Sequence, residues 1–451
     1  MAIPAALDSL LREQNLQYDL CEHLPNTALP QDAARAALLR DGDHCLHVLY
    51  PAHSLLDLNA LRRQTALPNL RAVGADEVEA LCRQRNFSRL PALPGAMGVP
   101  TLVDRRLLAN QALTFVADGE GLLRLRTDQF QQSFDAAALA DFSVDVSALQ
   151  TGRLDAVDDI EQITHAVANF TQLRLKARLQ ETLEIPPLPA TAQRILTLRV
   201  DPNADVRELT TLVETDPPLA AQVVSWASSP YYAYTGKIKS VHDAIARVLG
   251  FDVVLNLALG MSLGRSLNPP KDAPQGFTPY WQQAVFCATA VEALVGCMAT
   301  KQRPQIGIAY LTGLLHNFGH LVMAEIFPPH FASYCRLQEA NPQLNYTIIE
   351  RHLLGITRDQ IAGWLMRMWS MPDEVCNAVR FQNEPDYDGP DAQYASLVFV
   401  AMRLLRRHGI GNAPLESIPQ EMFEHLSLDP DKAVNAIQHV VDASQDLIDR
   451  L

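Results

Sequence analysis

The stretch LLHNFGHL, residues 314–321, contains two histidines that could bind one metal ion. His316 and His320 are four residues apart, a spacing that places both imidazoles on one face of a helix. The apolar segment from Ala309 to Phe327 predicts such a helix. A hydrolytic metal site also needs a carboxylate, and the residue after His316 is Asn317, whose amide is neutral. The residues alone leave three interpretations open: a metal site, a site that has lost its metal, or a pair of buried polar residues.

A second group of residues that could bind metal lies near the N-terminus, in and around the stretch CLHVLYPAH. His44, His47 and His53 have Cys45 as the one thiol close by, and their spacing matches no familiar ligand set. We interpret these histidines as solvated or strand-face residues. The seven cysteines of the chain are scattered and form no CxxC pair. They predict reduced thiols, and neither a disulfide framework nor a zinc knuckle.

Residues 1–148 predict a mixed α/β domain. Short apolar runs that favour strands alternate with helical patterns, and the sequence DGEG at residues 118–121 predicts a hairpin turn. The strand candidates are CLHVLYPA, PTLVD, ALTFVAD and GLLRLR, and the helical patterns include LLDLNALRRQTAL and ADEVEALCRQRN. This alternation indicates a partly antiparallel sheet with helices packed beside it.

From about Val157 onward the pattern is helical almost throughout. Helix start signals recur, for example Asp216 directly before Pro217, an N-cap followed by proline in the first turn. A loop over Asn383–Asp391 precedes a predicted last pair of helices. The C-terminal two thirds of the chain therefore predict an all-α domain.

These patterns divide the chain into three parts and predict the α+β fold class. Residues 1–148 form the α/β domain, and residues 149–180 form a helical linker with a connecting helix over Asp155–Leu179. Residues 181–451 form the all-α domain. The turn-rich stretch near 266–279 splits this domain into two helical subdomains.

The composition limits the functions that the chain can have. It has 48% hydrophobic and 20% charged residues, as an ordinary globular protein does. The net charge of −14 argues against nucleic-acid binding as a general function, because such binding needs a basic surface. We find no apolar run of the roughly 18 residues that span a bilayer, and MAIPAALDSLLREQ is no secretory signal. We expect a cytoplasmic protein with no membrane partner.

Five blocks between about Glu184 and Arg406 resemble the HDOD domain, a signalling relative of the HD metal-dependent phosphohydrolases. The blocks occur in order, which makes the resemblance specific, and it implies an all-α bundle of two helical subdomains. The blocks are IPPLPATAQRILTL, LTTLVETDPPLAAQVVSWASSPYYA, KIKSVHDAIARVLGFDVVLNLAL, YLTGLLHNFGHLVMAEIFP and LLGITRDQIAGWLMRMWSMPDEVCNAVRFQNEP.

The resemblance also implies where metal ligands would lie. The HD phosphohydrolases bind metal through a His, a tandem His-Asp pair and a later Asp, and their relatives often carry a Lys and further His residues nearby. In this chain these HD positions fall, in the same order, at Gln283, His316, Asn317, Met402, His320, Arg358 and Phe381. Amides supply no charge to a divalent cation, and a thioether suits no hard metal. The resemblance therefore implies degenerate ligand positions with no metal, no cofactor and no catalytic residue.

Residues 1–148 resemble the YbaK/prolyl-tRNA editing domain, which removes wrongly attached amino acids from tRNA. The supporting stretches are ARAALLRDGDHCLHVLYPA, LNALRRQTAL and RLPALPGAMGVPTLVDRRLLANQALTFVADGEGLLRLRTDQF. The lysine that shapes the family's pocket falls at Arg35, and the first lysine of this chain is Lys176. Arginine is no neutral replacement, because its guanidinium is larger and donates in a fixed fork. The region has 13 Arg against 18 acidic residues, which opposes tRNA binding without excluding it.

Together these observations favour a non-catalytic bacterial signal-transduction or regulatory protein. The HDOD domain would bind other signalling proteins, and the degenerate YbaK-like domain would sense a small ligand or offer a second docking face. Two enzymatic alternatives stay open: a metal-dependent HD-type phosphohydrolase acting on cyclic dinucleotides, and an aminoacyl-tRNA editing deacylase. The sequence specifies neither the partner proteins nor the oligomeric state.

Overall fold

The structure of the chain is a computed structural model, and its residues fall into two units. The N-terminal unit contains residues 1–152, 272–276 and 332–353, and the helical unit contains residues 153–271, 277–331 and 354–451. The residues that the structure describes are 5–22, 29–30, 32–118, 121–149, 159–166, 189–228, 232, 234–265, 267, 272–275, 277–414 and 417–448.

Among its described residues, the N-terminal unit has ten strands, which form three sheets. The strands are β1 Tyr18–Glu22, β2 Ala34–Asp41, β3 His44–Pro51, β4 Ser54–Leu56, β5 Arg71–Ala72, β6 Thr101–Asp104, β7 Ala112–Asp118, β8 Gly121–Arg126, β9 Leu139–Ala140 and β10 Ser143–Asp145. The main sheet has the order β5-β2-β3-β6-β9, in which β2 and β3 are antiparallel while β3 and β6 are parallel. The smaller sheets are β1-β8-β7 and β10-β4. The four predicted strands are therefore present, and β7 and β8 form the predicted hairpin, although its turn at 119–120 lies outside the described residues.

The helices of the first 148 residues are α1 Ala5–Glu13, α2 Leu58–Thr65, α3 Ala75–Gln84 and α4 Thr127–Gln131. They form where apolar residues recur at helical spacing, so that α1 buries Leu7 and Leu11. These side chains join a core with strand residues such as Leu49 and Phe115. The N-terminal region is thus α/β.

Residues 332–353 belong to the N-terminal unit although they lie far along the chain. The side chain of Asn341 is fully buried and forms hydrogen bonds with the backbone of Leu56 in strand β4. Its Nδ2 donates to the Leu56 carbonyl at 3.0 Å, and its Oδ1 accepts from the Leu56 amide at 2.7 Å. His352 Nε2 lies 3.7 Å from the carboxylate of Asp57, the N-cap of α2. These contacts connect residues 332–353 to β4 and to the start of α2.

The rest of the described chain is helical, as predicted. The helices are α5 Ala190–Val200, α6 Val206–Glu214, α7 Pro217–Ala227, α8 Val241–Ala244, α9 Phe251–Arg265, α10 Tyr280–Cys297, α11 Ile306–Leu315, α12 Phe318–Ile326, α13 Pro328–Ala340, α14 Tyr346–Leu354, α15 Arg358–Met368, α16 Asp373–Phe381, α17 Ala392–Arg407, α18 Gln420–His425 and α19 Pro430–Ile448. Residues 159–166 are helical too, and the remainder of the predicted connecting helix, Asp155–Leu179, lies outside the described residues.

Capping residues fix where several of these helices begin and end. Asp216 accepts from the Leu219 amide at the start of α7. Ser240 accepts from the Asp243 amide at the start of α8. A π-helical turn continues α8 until Gly250, whose φ of +82° ends it. These boundaries follow from local side-chain chemistry, which is why the sequence predicts them.

The predicted single helix over residues 309–327 is wrong, because the chain breaks between α11 and α12. The Nδ1 atom of His316 lies 2.7 Å from the Gly313 carbonyl. The His316 amide also points to that carbonyl, at 3.4 Å, and the His320 amide donates to Asn317 three residues earlier. Side-chain competition for a backbone carbonyl disturbs the regular helical pattern at the histidine-asparagine pair.

Two further expectations need correction. Among the described residues, three helices follow the loop at 383–391 instead of two. Pro419 is the N-cap of α18, and Pro430 is the first residue of α19, a position that suits proline. One stretch, Ile306–Ile326, does reach the length and apolar character that can cross a membrane. Its apolar window is 94% buried inside the protein, as the central helices of a bundle are.

Candidate functional site

Four of the HD positions meet in a buried cluster of polar side chains. Asn317 donates from Nδ2 to Oε1 of Gln283 at 3.3 Å. Arg358 donates from Nη1 to Oδ1 of Asn317 at 2.7 Å, and the same nitrogen lies 3.3 Å from Nδ1 of His320. Arg358 is fully buried. A guanidinium cation thus lies beside the asparagine that occupies the expected carboxylate position.

Two further HD positions, His316 and Met402, lie next to this cluster. Together with Gln283 they line one cavity of about 10 Å³. This volume is close to that of a single water molecule. The carbonyl of His316 accepts from Nε2 of Gln382 at 2.7 Å, and the side chain of Gln283 donates to the Thr278 carbonyl. The structure therefore brings together HD positions from α10, α12, α15 and α17 and from the break between α11 and α12.

Both histidines of the cluster are uncharged at neutral pH. Burial lowers the pKa of His316 to about 4, a shift that the Arg358 charge reinforces and the Gly313 carbonyl opposes. Burial and the Arg358 charge lower the pKa of His320 to about 3. The ring of His320 packs edge-on against Phe331, with 4.9 Å between centroids. Neutral imidazoles can lie beside a buried guanidinium without charge repulsion.

The residues present do not fit the divalent metal that the HD phosphohydrolases bind. The Asn317 oxygen already accepts from a cation, and a metal bound there would lie against the Arg358 charge. The other donors at the HD positions are an amide, neutral imidazoles and a thioether, with no carboxylate among them. Within the described ranges, no three His, Cys, Asp or Glu side chains are grouped to hold a metal ion.

Two glycines let the helices that carry the cluster approach one another. A Cβ atom on Gly319 of α12 would overlap the backbone carbonyl of Arg358. A Cβ atom on Gly313 of α11 would lie 2.7 Å from the Ala288 Cα of α10. Only glycine permits such contacts, so these positions set the spacing at which the polar side chains of different helices meet.

A second buried polar group, which the sequence analysis missed, adjoins the HD positions. Asp159 accepts from the guanidinium of Arg380 and from Nε2 of Gln360 at 2.7 Å. Gln382 donates to the carboxylate of Asp359 at 2.9 Å. The TRDQ sequence at 357–360 is a capping box, and this signal could have indicated an ordered helix start here. The ion pair with Asp159 has no local sequence signal.

Arg35, where the resemblance places the editing-domain lysine, lies in the N-terminal unit. Arg35 is on β2, directly opposite Tyr50 on β3. Burial raises the pKa of Tyr50, while the neighbouring Arg35 and Gln343 oppose this shift. Gln343 belongs to residues 332–353. An amide from residues 332–353 thus neighbours Tyr50, as Arg35 does.

The three N-terminal histidines do not share one environment. His47 is fully buried, and burial lowers its pKa to about 4. His44 is exposed at the start of the same strand. The Nε2 atom of His53 lies 2.9 Å from the Leu29 carbonyl. Each imidazole therefore has a structural setting of its own.

Comparisons with known proteins agree with this architecture. Residues 185–385 match the HDOD domain. A solved structure from Marinobacter aquaeolei VT8, named as a candidate signal transduction protein, is 40% identical with a TM-score of 0.90 and covers 100% of this chain and 99% of its own. An HDOD domain protein of unknown function from Geobacter sulfurreducens is 20% identical with a TM-score of 0.48, covering 64% of this chain and 96% of its own.

An uncharacterized protein of Treponema pallidum (strain Nichols) is 22% identical over 276 residues. The match covers 60% of this chain and 52% of that protein, so this chain spans about half the length of the relative. The domain match and the full-length similarity to the Marinobacter structure agree with the helical bundle described above. The chain belongs to the family of signalling-type proteins that carry an HDOD domain.

Proposed function

We propose that this chain is a non-catalytic regulatory protein whose HDOD domain acts by binding other signalling proteins. The observation that carries the proposal is the hydrogen bond from Arg358 to Asn317 at the HD positions. A catalytic metal centre holds a cation with carboxylates and leaves space for water and substrate. Here a protein cation occupies that neighbourhood and the adjoining cavity is about 10 Å³, so the site supports packing in place of hydrolysis.

The N-terminal unit is, in this proposal, a degenerate YbaK-like domain that binds a small ligand or docks a partner in the bacterial cytoplasm. Its α/β fold, with Arg35 on β2, supports the resemblance. Gln343 beside Tyr50 favours a pocket that is closed to a large substrate such as a tRNA end. The acidic charge of the region argues in the same direction.

Metal analysis tests the non-catalytic part. The purified full-length protein is incubated with Mn²⁺, Fe²⁺ or Mg²⁺, desalted and measured by inductively coupled plasma mass spectrometry. We expect far less than one equivalent per chain and no hydrolysis of a cyclic dinucleotide, because the HD positions lack charged ligands. About one equivalent together with turnover would refute the proposal and support the phosphohydrolase alternative.

Affinity capture tests the regulatory part. The tagged chain is expressed in its native cell, and the captured proteins are identified by mass spectrometry after cross-linking. We expect a small set of defined signalling proteins that co-purify reproducibly. Recovery of the chain alone would argue against an interaction protein. Release of an amino acid from a mischarged tRNA, lost in Arg35→Ala, would instead support the editing alternative.

A further inference from the structure

Residues 159–166 are helical, and a buried carboxylate anchors them to the rest of the helical unit. Asp159 is 1% exposed and accepts from the guanidinium of Arg380 and from Gln360. The buried residues of the segment are Asp159, Ile163 and Ala166, at positions i, i+4 and i+7. This spacing is the one by which amphipathic helices insert into grooves. The segment therefore has the form of a helical ligand bound within its own chain.

Asp159 is bound by Gln360 of α15 and Arg380 of α16, and we call the position between these two side chains the docking cleft. Gln360 uses Oε1 to accept from the Thr357 amide at 2.8 Å, which directs its Nε2 to donate to Asp159 at 2.7 Å and to Gln162 at 3.0 Å. Gly363 lets the two helices approach, because a Cβ there would lie 2.9 Å from the Arg380 Cβ. A helix cap and a close helix contact thus shape the docking cleft independently of residues 159–166.

Release of the segment would not isolate the buried cation. Arg380 also donates from Nη1 to Glu384 at 2.9 Å, so a second carboxylate stays with the guanidinium when Asp159 leaves. This second ion pair favours exchange of the segment for another helix.

The docking cleft is joined to the HD positions. Gln360 lies two residues after Arg358 on α15, and Gln382 follows Arg380 by two residues. Gln382 donates to the His316 carbonyl at 2.7 Å and to Asp359 at 2.9 Å. A change of occupant in the docking cleft would therefore act on residues bonded to the former ligand positions.

We propose that the docking cleft binds an amphipathic helix of a partner protein that presents an Asp with an aliphatic residue four positions later. Residues 159–166 occupy the docking cleft as an intramolecular competitor. The carboxylate of the partner would pair with Arg380, and its apolar face would replace Ile163 and Ala166. This inference rests on the proposed function, since it assigns the surface through which the protein binds partners.

Peptide binding to the full-length chain tests the proposal. The probe is a fluorescein-labelled peptide of residues 155–170, measured by fluorescence anisotropy. We expect binding to Asp159→Ala to be about tenfold tighter than to the wild type, because the intramolecular competitor is weakened. A peptide with Asp159→Asn should lose binding, whereas a peptide with Glu161→Gln, a matched charge removal at an exposed position, should retain it. Equal affinities in either comparison would overturn the proposal.

A second measurement uses the unmodified chain, in case Asp159→Ala does not fold. Hydrogen exchange at residues 159–166 should accelerate when excess peptide is added, and unchanged exchange would refute displacement. Neither assay needs a cellular partner. Peptide binding without captured partners would count against the proposed function alone, and captured partners without peptide binding would place the interface elsewhere and overturn this inference.

Discussion

At the scale of single residues, Arg358 explains why the HD positions form a consistent set. A fully buried guanidinium needs acceptors and tolerates no second cation nearby. Asn317 supplies an amide oxygen, His320 stays neutral, and Gln283 accepts from the other side of the asparagine. These three departures from a metal-binding set therefore suit one another, and each of the three residues contacts a partner within the cluster.

Replacing Asn317 with Ala tests this role. The change removes an acceptor from a buried cation, and we expect the free energy of unfolding to fall by about 2–3 kcal/mol. The measurement is urea denaturation at neutral pH. The matched control is Asn203→Ala at an exposed position, which should stay within about 0.5 kcal/mol of the wild type. Equal stabilities of the two variants would show that the amide does not hold the guanidinium.

The histidine pKa values predict how stability depends on pH. The folded pKa of His316, about 4, is below its ordinary value, so the unfolded chain binds this proton more readily. The contribution of neutral His316 to the free energy of unfolding is therefore complete above about pH 6.5 and is lost as the pH falls towards 4.

Replacing His316 with Gln isolates this contribution. Urea denaturation at several pH values from 7 to 4.5 should show that His316→Gln loses roughly 1–3 kcal/mol less than the wild type does over this range. His242→Gln, at an exposed position, should follow the wild-type profile. Parallel profiles for His316→Gln and the wild type would contradict a neutral buried imidazole.

At the scale of helices and strands, the close crossing of α10 and α11 determines where the HD positions meet. Gly313 lies against the backbone of Ala288 and Cys287. Gln283 is on the same helix as these two residues, so the close contact also brings Gln283 near the cluster. Glycine is common where helix backbones touch, but its presence in a sequence does not say which helix it faces. The crossing therefore could not be predicted from the residues alone.

Two glycine variants test the crossing. Gly313→Ala would place a Cβ 2.7 Å from Ala288 and 2.8 Å from the Cys287 carbonyl, and the helices would have to separate at a cost of about 2–3 kcal/mol. Gly296→Ala is the control, because a Cβ there meets nothing within 4 Å and should stabilise α10 by about 0.5 kcal/mol. Thermal unfolding measures both. A Gly313→Ala variant as stable as Gly296→Ala would disprove the tight crossing.

At the scale of the whole molecule, local and long-range features differ in how far the sequence predicts them. Strands and helices with periodic apolar residues and clear caps, such as Asp216 before Pro217, follow from neighbouring residues. The HD positions were predicted from a family resemblance, whose matching blocks occur in the same order along this chain. The Asp159–Arg380 pair spans 221 positions, and residues 332–353 join a unit that begins more than 300 positions earlier, so no local pattern encodes either association.

The hydrogen bonds between Asn341 and the Leu56 backbone allow a test of whether residues 332–353 stabilise β4. Asn341→Ala removes two hydrogen bonds to the Leu56 backbone, at 2.7 and 3.0 Å, and leaves buried strand groups without partners. We expect the free energy of local opening at β4 to fall by about 2–3 kcal/mol, because an unsatisfied buried amide is costly. Native-state hydrogen exchange of the Leu56 amide measures this directly.

The control variant is Asn69→Ala, in the same unit. The Asn69 side chain is exposed, and its backbone amide can still donate to Asp41 after the change. Exchange at Leu56 should stay at the wild-type rate in that variant. Unchanged exchange in Asn341→Ala would mean that β4 keeps its order without residues 332–353. Faster exchange confined to β4 and its partner β10 would instead show that this part of the N-terminal unit depends on residues 332–353. The dependence would act through Asn341, a side chain that no periodic sequence pattern distinguishes.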